Sequence, residues 1–134
     1  MKYLIALAIL TITAHQFVIA DEIIPNLKNS KRYENSNLNQ FLKPEFNTLE
    51  VEKTEEQDML FNLVTATRGK VCMVHGQAKF MTKGAYRFSS TRCTIDFKVS
   101  EDSLQIDIEA SDEKCNIKYC GEGGLINQQT FRSK

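Results

Sequence analysis

The sequence has almost no excess of either charge. Its 134 residues include 17 Lys or Arg and 17 Asp or Glu. Lys2 is the one charged residue among residues 1–20, so the chain that follows carries a net charge of about −1. Nucleic-acid-binding domains present a basic face, and anionic lipid attracts basic segments. We therefore expect neither nucleic acid nor a membrane surface as a partner.

Residue types that perform catalysis are also scarce. After residue 20 the chain has one histidine, His75, and a general base needs a nucleophile held beside it. None of the serines lies in a nucleophile-elbow motif. The glycine-rich run at 120–124 lacks the Gly-Lys-Ser/Thr ending of a phosphate loop. The sequence therefore predicts no catalytic residue, no cofactor and no metal ion, and a small envelope enzyme (a hydrolase) built on His75 stays an alternative.

Residues 1–20 have the pattern of a cleavable signal peptide. Lys2 supplies the positive charge, residues 4–12 are almost wholly apolar, and residues 18–20 fit a cleavage site. A membrane anchor needs about 20 apolar residues, and His15 interrupts this run early. The pattern predicts a 114-residue mature chain that is exported, either periplasmic or secreted, and monomeric.

The four cysteines all follow residue 20. An even number in an exported chain indicates disulfide bonds, and four cysteines allow three pairings. We favour Cys72–Cys93, which would join neighbouring strands, and Cys115–Cys120, which would close a short loop. A four-cysteine zinc site is the rival interpretation, but structural zinc sites usually carry close cysteine pairs at both ends, and Cys72 lies far from Cys93.

The mature chain divides into a polar arm or linker at 21–50 and a domain at 51–134. The arm is rich in asparagine and contains both prolines of the sequence. Residues 54–68 have the pattern of a helix. Thr54 and Gln57 match a capping box, and Gly69 supplies a stop. The apolar spacing i, i+3, i+4, i+7 is typical of a helix face, and it comprises Leu60, Leu63, Val64 and Thr67.

From Val71 onward the apolar period changes to two, which predicts strands. A turn falls at 83–84, and a hairpin joins 93–99 to 104–108. A tight turn from Ser100 to Ser103 would place Val99 opposite Leu104 and Asp96 opposite Asp107. A last strand would reach Phe131 and Arg132. The expected fold class is α+β, mainly β: one N-terminal helix packed on a small antiparallel sheet that two disulfides staple.

The last 60 or so residues carry a recognisable pattern. It consists of Val71-Cys72, Gly76, Tyr86, the strand Cys93-Thr94-Ile95-Asp96-Phe97, and the ending Cys115, Tyr119-Cys120-Gly121, Phe131-Arg132. In this pattern the chain resembles a group of small exported bacterial proteins of mostly unknown function, some of which are associated with lysozyme-inhibitor families. This resemblance implies a compact β-domain in the cell envelope and carries over no catalytic residue.

The absence of catalytic motifs favours an exported, non-enzymatic protein that acts by protein–protein contact. Its target would be an envelope or extracellular protein, such as a cell-wall hydrolase like lysozyme or a toxin, so the chain would be an inhibitor or immunity-type protein. Acidic side chains around the last hairpin would attract a cationic partner. A structural or small-ligand-binding envelope module is a further alternative. The candidate partner-binding residues are His75, Tyr86, Glu101, Asp102 and Tyr119.

Overall fold

The computed structural model describes residues 27–35, 47–67, 69–91, 93–111, 113–121, 126 and 129–134. The expected signal peptide, residues 1–20, lies outside the described residues. The elements are β1 (Lys31–Glu34), β2 (Thr48–Lys53), β3 (Met59–Thr67), β4 (Lys70–Thr82), β5 (Ala85–Ser90), β6 (Cys93–Val99), β7 (Gln105–Ala110), α1 (Glu113–Cys120) and β8 (Gln129–Ser133).

The eight strands form one closed antiparallel barrel in which each strand pairs with its neighbours in sequence. The barrel closes where β1 pairs with β8, through Tyr33 opposite Ser133 and Glu34 opposite Arg132. Because of this closure, neither β1 nor β8 is the open edge of a sheet in the described part of the chain. The fold is thus mainly β, but the expected helix packed on a small sheet is wrong.

The expected helix at 54–68 is instead a turn followed by β3. Gln57 N donates to Thr54 O over 3.1 Å, and Thr54 N donates to Asp58 O over 2.9 Å. Gln57 has φ 67°, a left-handed conformation that a helix interior does not contain. The following residues alternate, with Met59 and Phe61 buried. The apolar run from 59 therefore also fits a period of two, and pairing with β2 and β4 selects the strand.

Part of the expected polar arm belongs to the barrel wall. β1 and the first residues of β2 lie within 21–50. Tyr33 on β1 is 3% exposed and Leu49 on β2 is fully buried. The sequence of β2, Leu49-Glu50-Val51-Glu52, alternates apolar and acidic residues, and this alternation is the signal of a half-buried strand.

Inward-facing side chains fill the middle of the barrel. Alternate residues of a strand face the same side, and the inward set carries three fully buried phenylalanines, Phe61, Phe97 and Phe131. Phe61 contacts Phe97 with ring centroids 4.7 Å apart. Gly76 also faces inward, where a Cβ atom would lie 2.8 Å from the ring of Phe88. The barrel centre is therefore a packed core.

The hairpin of β6 and β7 has the expected faces but a different register. Phe97 lies opposite Ile108, and Val99 lies opposite Ile106. The turn is longer than expected, because Ser100 N donates to Gln105 O over 2.9 Å. The shift is two residues, which preserves the buried face. It leaves Leu104 52% exposed.

The same shift changes the charge pairs on the outer face of this hairpin. Lys98 lies opposite Asp107, so the expected pairing of Asp96 with Asp107 is wrong. Asp96 instead accepts two hydrogen bonds from Arg87, at 2.7 Å and 3.0 Å.

Both disulfides tie α1 to the barrel. Cys120 is bonded to Cys72 on β4, and Cys115 is bonded to Cys93 on β6. The presence of two disulfides is confirmed, and it is consistent with an oxidising, exported environment. The favoured pairing is wrong for two geometric reasons.

The first reason is the position of β5, which lies between β4 and β6. Two strand spacings separate Cys72 from Cys93 by about 10 Å, beyond the roughly 7 Å that a disulfide spans between Cα atoms. The second is the helix, in which residues five apart are separated by about 7.5 Å along the axis. Cys115 and Cys120 therefore cannot bond to each other, and each reaches a different strand.

We predict that peptide mapping under non-reducing conditions links Cys72 to Cys120 and Cys93 to Cys115. Replacing both Cys72 and Cys120 with alanine should lower the free energy of unfolding by about 4 kcal/mol, because this bond closes a sequence separation of 48. Replacing Cys93 and Cys115 should cost about 3 kcal/mol, for a separation of 22. Urea denaturation measures both losses. A peptide linking Cys72 to Cys93 would contradict the fold.

Candidate functional site

One end of the barrel, here called the helix end, carries α1 and several buried polar side chains. Asn47 is fully buried, and its Oδ1 accepts a hydrogen bond from Ala66 N over 3.0 Å. Thr65 Oγ1 lies 3.0 Å from Gln129 Oε1. Asn116 Oδ1 on α1 accepts from Ile126 N over 2.6 Å. Because these buried polar groups are hydrogen-bonded, they stabilise the helix end.

The opposite end, here called the open end, carries the three turns at 54–58, 83–84 and 100–104. Here the core gives way to a recess of about 250 Å³. Its walls are mainly apolar side chains that face inward from the strands. They are Tyr33, Val51, Met59, Tyr86, Val99 and Ile106, and the rim adds Asn29, Lys31, Glu52, Lys53 and Ser103.

The Ser103 carbonyl fixes one wall of this first recess. Tyr33 Oη donates to Ser103 O over 2.8 Å, and Lys31 Nζ donates to the same oxygen over 2.7 Å. Both side chains project from β1, so they connect it to the turn between β6 and β7. The rim is held in shape by these bonds rather than by strand pairing alone.

A second, smaller recess of about 160 Å³ adjoins the first. The two recesses share Lys53, Tyr86, Val99 and Ser103. The second also has Lys83, Gly84, Ser100 and Glu101 in its wall. Tyr86 is only 5% exposed, and its ring packs edge-on against Phe80 at 5.9 Å. Within the part of the chain that the structure describes, the Tyr86 hydroxyl has no hydrogen-bond partner.

The turn between β6 and β7 is ordered by Asp102. Its Oδ1 accepts from Ser100 Oγ over 2.6 Å and from Leu104 N over 3.0 Å. The Ser100 hydroxyl, and after it the Leu104 N–H, holds the pKa of Asp102 below its usual value. Asp102 therefore stays ionised near neutral pH and supports the rim. Glu101 is exposed at the same rim.

Asp58 anchors the turn between β2 and β3 to β4. Its carboxylate accepts from Lys79 Nζ over 2.7 Å, from Phe80 N over 2.9 Å and from Gln77 Nε2 over 2.8 Å. The hydrogen bond from Lys79, followed by the one from the Phe80 backbone, lowers the pKa of Asp58. Three donors on β4 thus hold this turn beside the open end.

The structure brings three of the five expected site residues together. Tyr86, Glu101 and Asp102 lie at the open end, although Asp102 serves the turn itself. His75 is half-buried on the barrel's outer wall, opposite Asn62 of β3. Tyr119 lies on α1 at the other end, where its hydroxyl is 3.0 Å from Ser90 Oγ. His75 and Tyr119 are therefore distant from the recesses.

Three residues of the first recess were missed at the sequence level. Tyr33 and Val51 lie on β1 and β2, and Met59 begins β3. The alternation in β2 could have identified Val51, because its neighbours Glu50 and Glu52 are acidic. β1 is only four residues long and mostly charged, so its pattern gave no such signal for Tyr33.

A recess on the outer wall of β6, β7 and β8 is lined by acidic residues, among them Asp96, Asp107 and Glu109. Asp96 is bound to Arg87, and Asp107 accepts from Thr130 Oγ1 over 2.6 Å. Among the described residues, no cluster of three or more His, Cys, Asp or Glu could hold a metal ion. No helix in the described ranges has the length and apolar character to cross a membrane.

The fold and the site define a class: a disulfide-bonded eight-stranded barrel with α1 at one end and two adjoining recesses at the other. Comparison with protein-family models, curated protein sequences and solved structures finds no match to this chain.

We predict that Asp58→Asn lowers the melting temperature at neutral pH, because the amide cannot replace the ionised acceptor of Lys79. The folded-state pKa of Asp58 is depressed, so its contribution is present above the ordinary value of 3.8 and is lost as pH falls through the lower folded pKa. The difference in melting temperature between wild type and variant should therefore begin to shrink only below pH 3.8. Glu55→Gln, in the same turn and exposed, is the control. A gap that is constant down to pH 2 would contradict this account.

Proposed function

We propose that this protein is an exported binding protein that holds one small, mainly apolar molecule at the open end of its barrel. The observation that carries the proposal is the first recess, whose walls are six inward-facing apolar or aromatic side chains and whose rim is polar. Small-molecule sites are concave, mostly apolar and supplied with a few placed polar groups. Closed eight-stranded barrels are wide enough for one such ligand.

The position of the recess supports the same function. The middle of the barrel is filled by large phenylalanines, and the first recess lies at the open end. A ligand that entered from the open end would rest on this packed core. The rigid walls reduce the cost of ordering the protein on binding, which favours affinity.

Two independent features support the proposal that the protein is exported. The first is the signal-peptide pattern of residues 1–20. The second is the pair of disulfides, which persist in oxidising compartments. A binding protein outside the cytoplasm would carry or sequester its ligand, and this activity needs no catalytic group.

Filling the recess should abolish binding. In Val51→Trp the indole would occupy the space beside Met59 and Tyr86, and we expect the affinity for a neutral apolar probe, octanol, to fall at least about tenfold, the loss of about 1.4 kcal/mol. Titration calorimetry measures it. The matched control is Val71→Trp, since Val71 is a β4 valine that is 44% exposed outside the recess.

Comparing Val51→Trp with Val71→Trp tests whether the probe binds in the first recess. The natural chain has no tryptophan. The fluorescence of the introduced indole therefore also reports whether that indole is buried in the recess of the folded protein. Wild-type protein that does not bind octanol, or a Val51→Trp variant that binds as tightly as the control, would contradict the proposed function.

A second candidate function is contact with a protein target such as a cell-wall hydrolase, and α1 supplies the observation that favours it. Ile117 is 69% exposed and lines a surface recess with Thr91, Lys114 and Lys118. Exposed apolar side chains in a polar rim are typical of protein interfaces.

For this second candidate we predict that the mature protein inhibits at least one member of a lysozyme panel. Ile117→Ser should relieve that inhibition, because it removes the exposed apolar contact. Leu104→Ser, at an apolar residue exposed at the opposite end of the barrel, should leave it intact. Enzyme assays measure both, and equal inhibition by both variants would contradict a role for α1.

A further inference from the structure

The Tyr86 hydroxyl is a polar group at the open end that the apolar recess does not explain. Tyr86 is 5% exposed and lines both recesses. Among the described residues the structure gives it only a ring contact with Phe80. The buried side-chain oxygen that lacks a partner in these residues is Thr54 Oγ1, so the Tyr86 hydroxyl is open to the recesses and to solvent. A ligand atom in either recess would accept a hydrogen bond from it in place of water.

The charges around the second recess indicate what that atom is. Lys53 and Lys83 both line it, and neither forms an ion pair with any residue in the described ranges. Among the described residues of its wall Glu101 is the single acid, so this lining has more basic than acidic side chains. The phenol and the two ammonium groups are all hydrogen-bond donors.

The first recess is different in character. Its rim combines Lys31 and Lys53 with Glu52, but two of these groups are already engaged. Lys31 donates to Ser103 O, and Glu52 Oε2 accepts from Lys28 N over 2.7 Å and from Asn29 N over 3.2 Å. This recess therefore offers chiefly apolar surface, whereas its neighbour offers chiefly donors.

We propose that the ligand is an amphipathic carboxylate. Its carboxylate lies in the second recess, accepting from Tyr86 Oη and attracted by Lys53 and Lys83, while its short apolar tail lies in the first recess against Val51, Met59 and Ile106. The two recesses adjoin across Tyr86 and Val99, so one molecule can occupy both. This inference rests on the proposed function and adds the chemical class of the ligand.

A matched series of probes tests the head group. Octanoate, octanol and octylamine have the same tail and carry a negative, a neutral and a positive head at pH 7. A hydrogen bond to a charged acceptor is stronger than one to a neutral acceptor, so octanoate should bind at least about tenfold more tightly than octanol. Octylamine should bind most weakly. Added salt should weaken octanoate and leave octanol unchanged, because screening acts on charge alone.

Variants test the placement. Tyr86→Phe removes one oxygen and keeps the ring, and it should reduce octanoate affinity about tenfold while leaving octanol within about twofold. Lys53→Gln and Lys83→Gln should each reduce octanoate affinity about threefold, as expected for exposed charges. Lys70→Gln, an exposed lysine at the helix end, is the matched control and should change neither affinity.

The outcomes separate this inference from the proposed function. If octanol binds as tightly as octanoate, or if Tyr86→Phe weakens both equally, the carboxylate assignment is overturned and the apolar binding site stands. If octanol does not bind to the wild-type protein, the proposed function is overturned, and with it the inference that rests on it. If Tyr86→Phe does not fold, Lys53→Gln and Lys83→Gln still test the placement. Octanoate affinity that neither lysine variant changes would overturn the carboxylate assignment.

Discussion

The two disulfides that hold α1 against the barrel determine where this short helix lies. They reach two strands that are separated by β5, so the helix is clamped across the barrel's rim rather than attached at one point. An eight-residue helix is too short to be stable alone in water. Its order therefore depends on these bonds and on packing. The two recesses lie at the opposite end of the barrel, away from the cross-linked strand ends.

The interior follows a gradient from one end to the other. Buried polar side chains lie next to the helix, phenylalanines fill the middle, and two tyrosines with aliphatic side chains and polar neighbours surround the recesses. Each layer arises from the alternation of the strands, because every second residue faces inward. Gly76 illustrates how closely the middle is packed: the absence of a side chain there makes room for the Phe88 ring. The recess therefore has a firm floor.

The sequence predicted much of the β structure from β4 to β7 and its inward faces, since their alternation is regular. It failed for Met59–Thr67, where the apolar residues fit both a helical and a strand period. Pairing with β2 and β4 selects the strand there, and a local pattern does not show this pairing. The disulfide pairing depends on which strands lie side by side around the barrel, a non-local property. Of the site, Tyr86 and Glu101 were identified, whereas Tyr33 was hidden in a charged four-residue strand. The recess itself exists only once the barrel closes, so no local pattern encodes it.

The seam between β1 and β8 has a thermodynamic consequence. Among the described residues it is paired at two positions, against nine between β3 and β4, and an ion pair of Lys134 with Glu34 at 2.9 Å supplements it. Tyr33 belongs both to this seam and to the first recess. A ligand that bound in the first recess and contacted Tyr33 would therefore also stabilise the closed barrel at its least paired joint among the described residues. Binding and closure would then be linked, and each would favour the other by the same free energy.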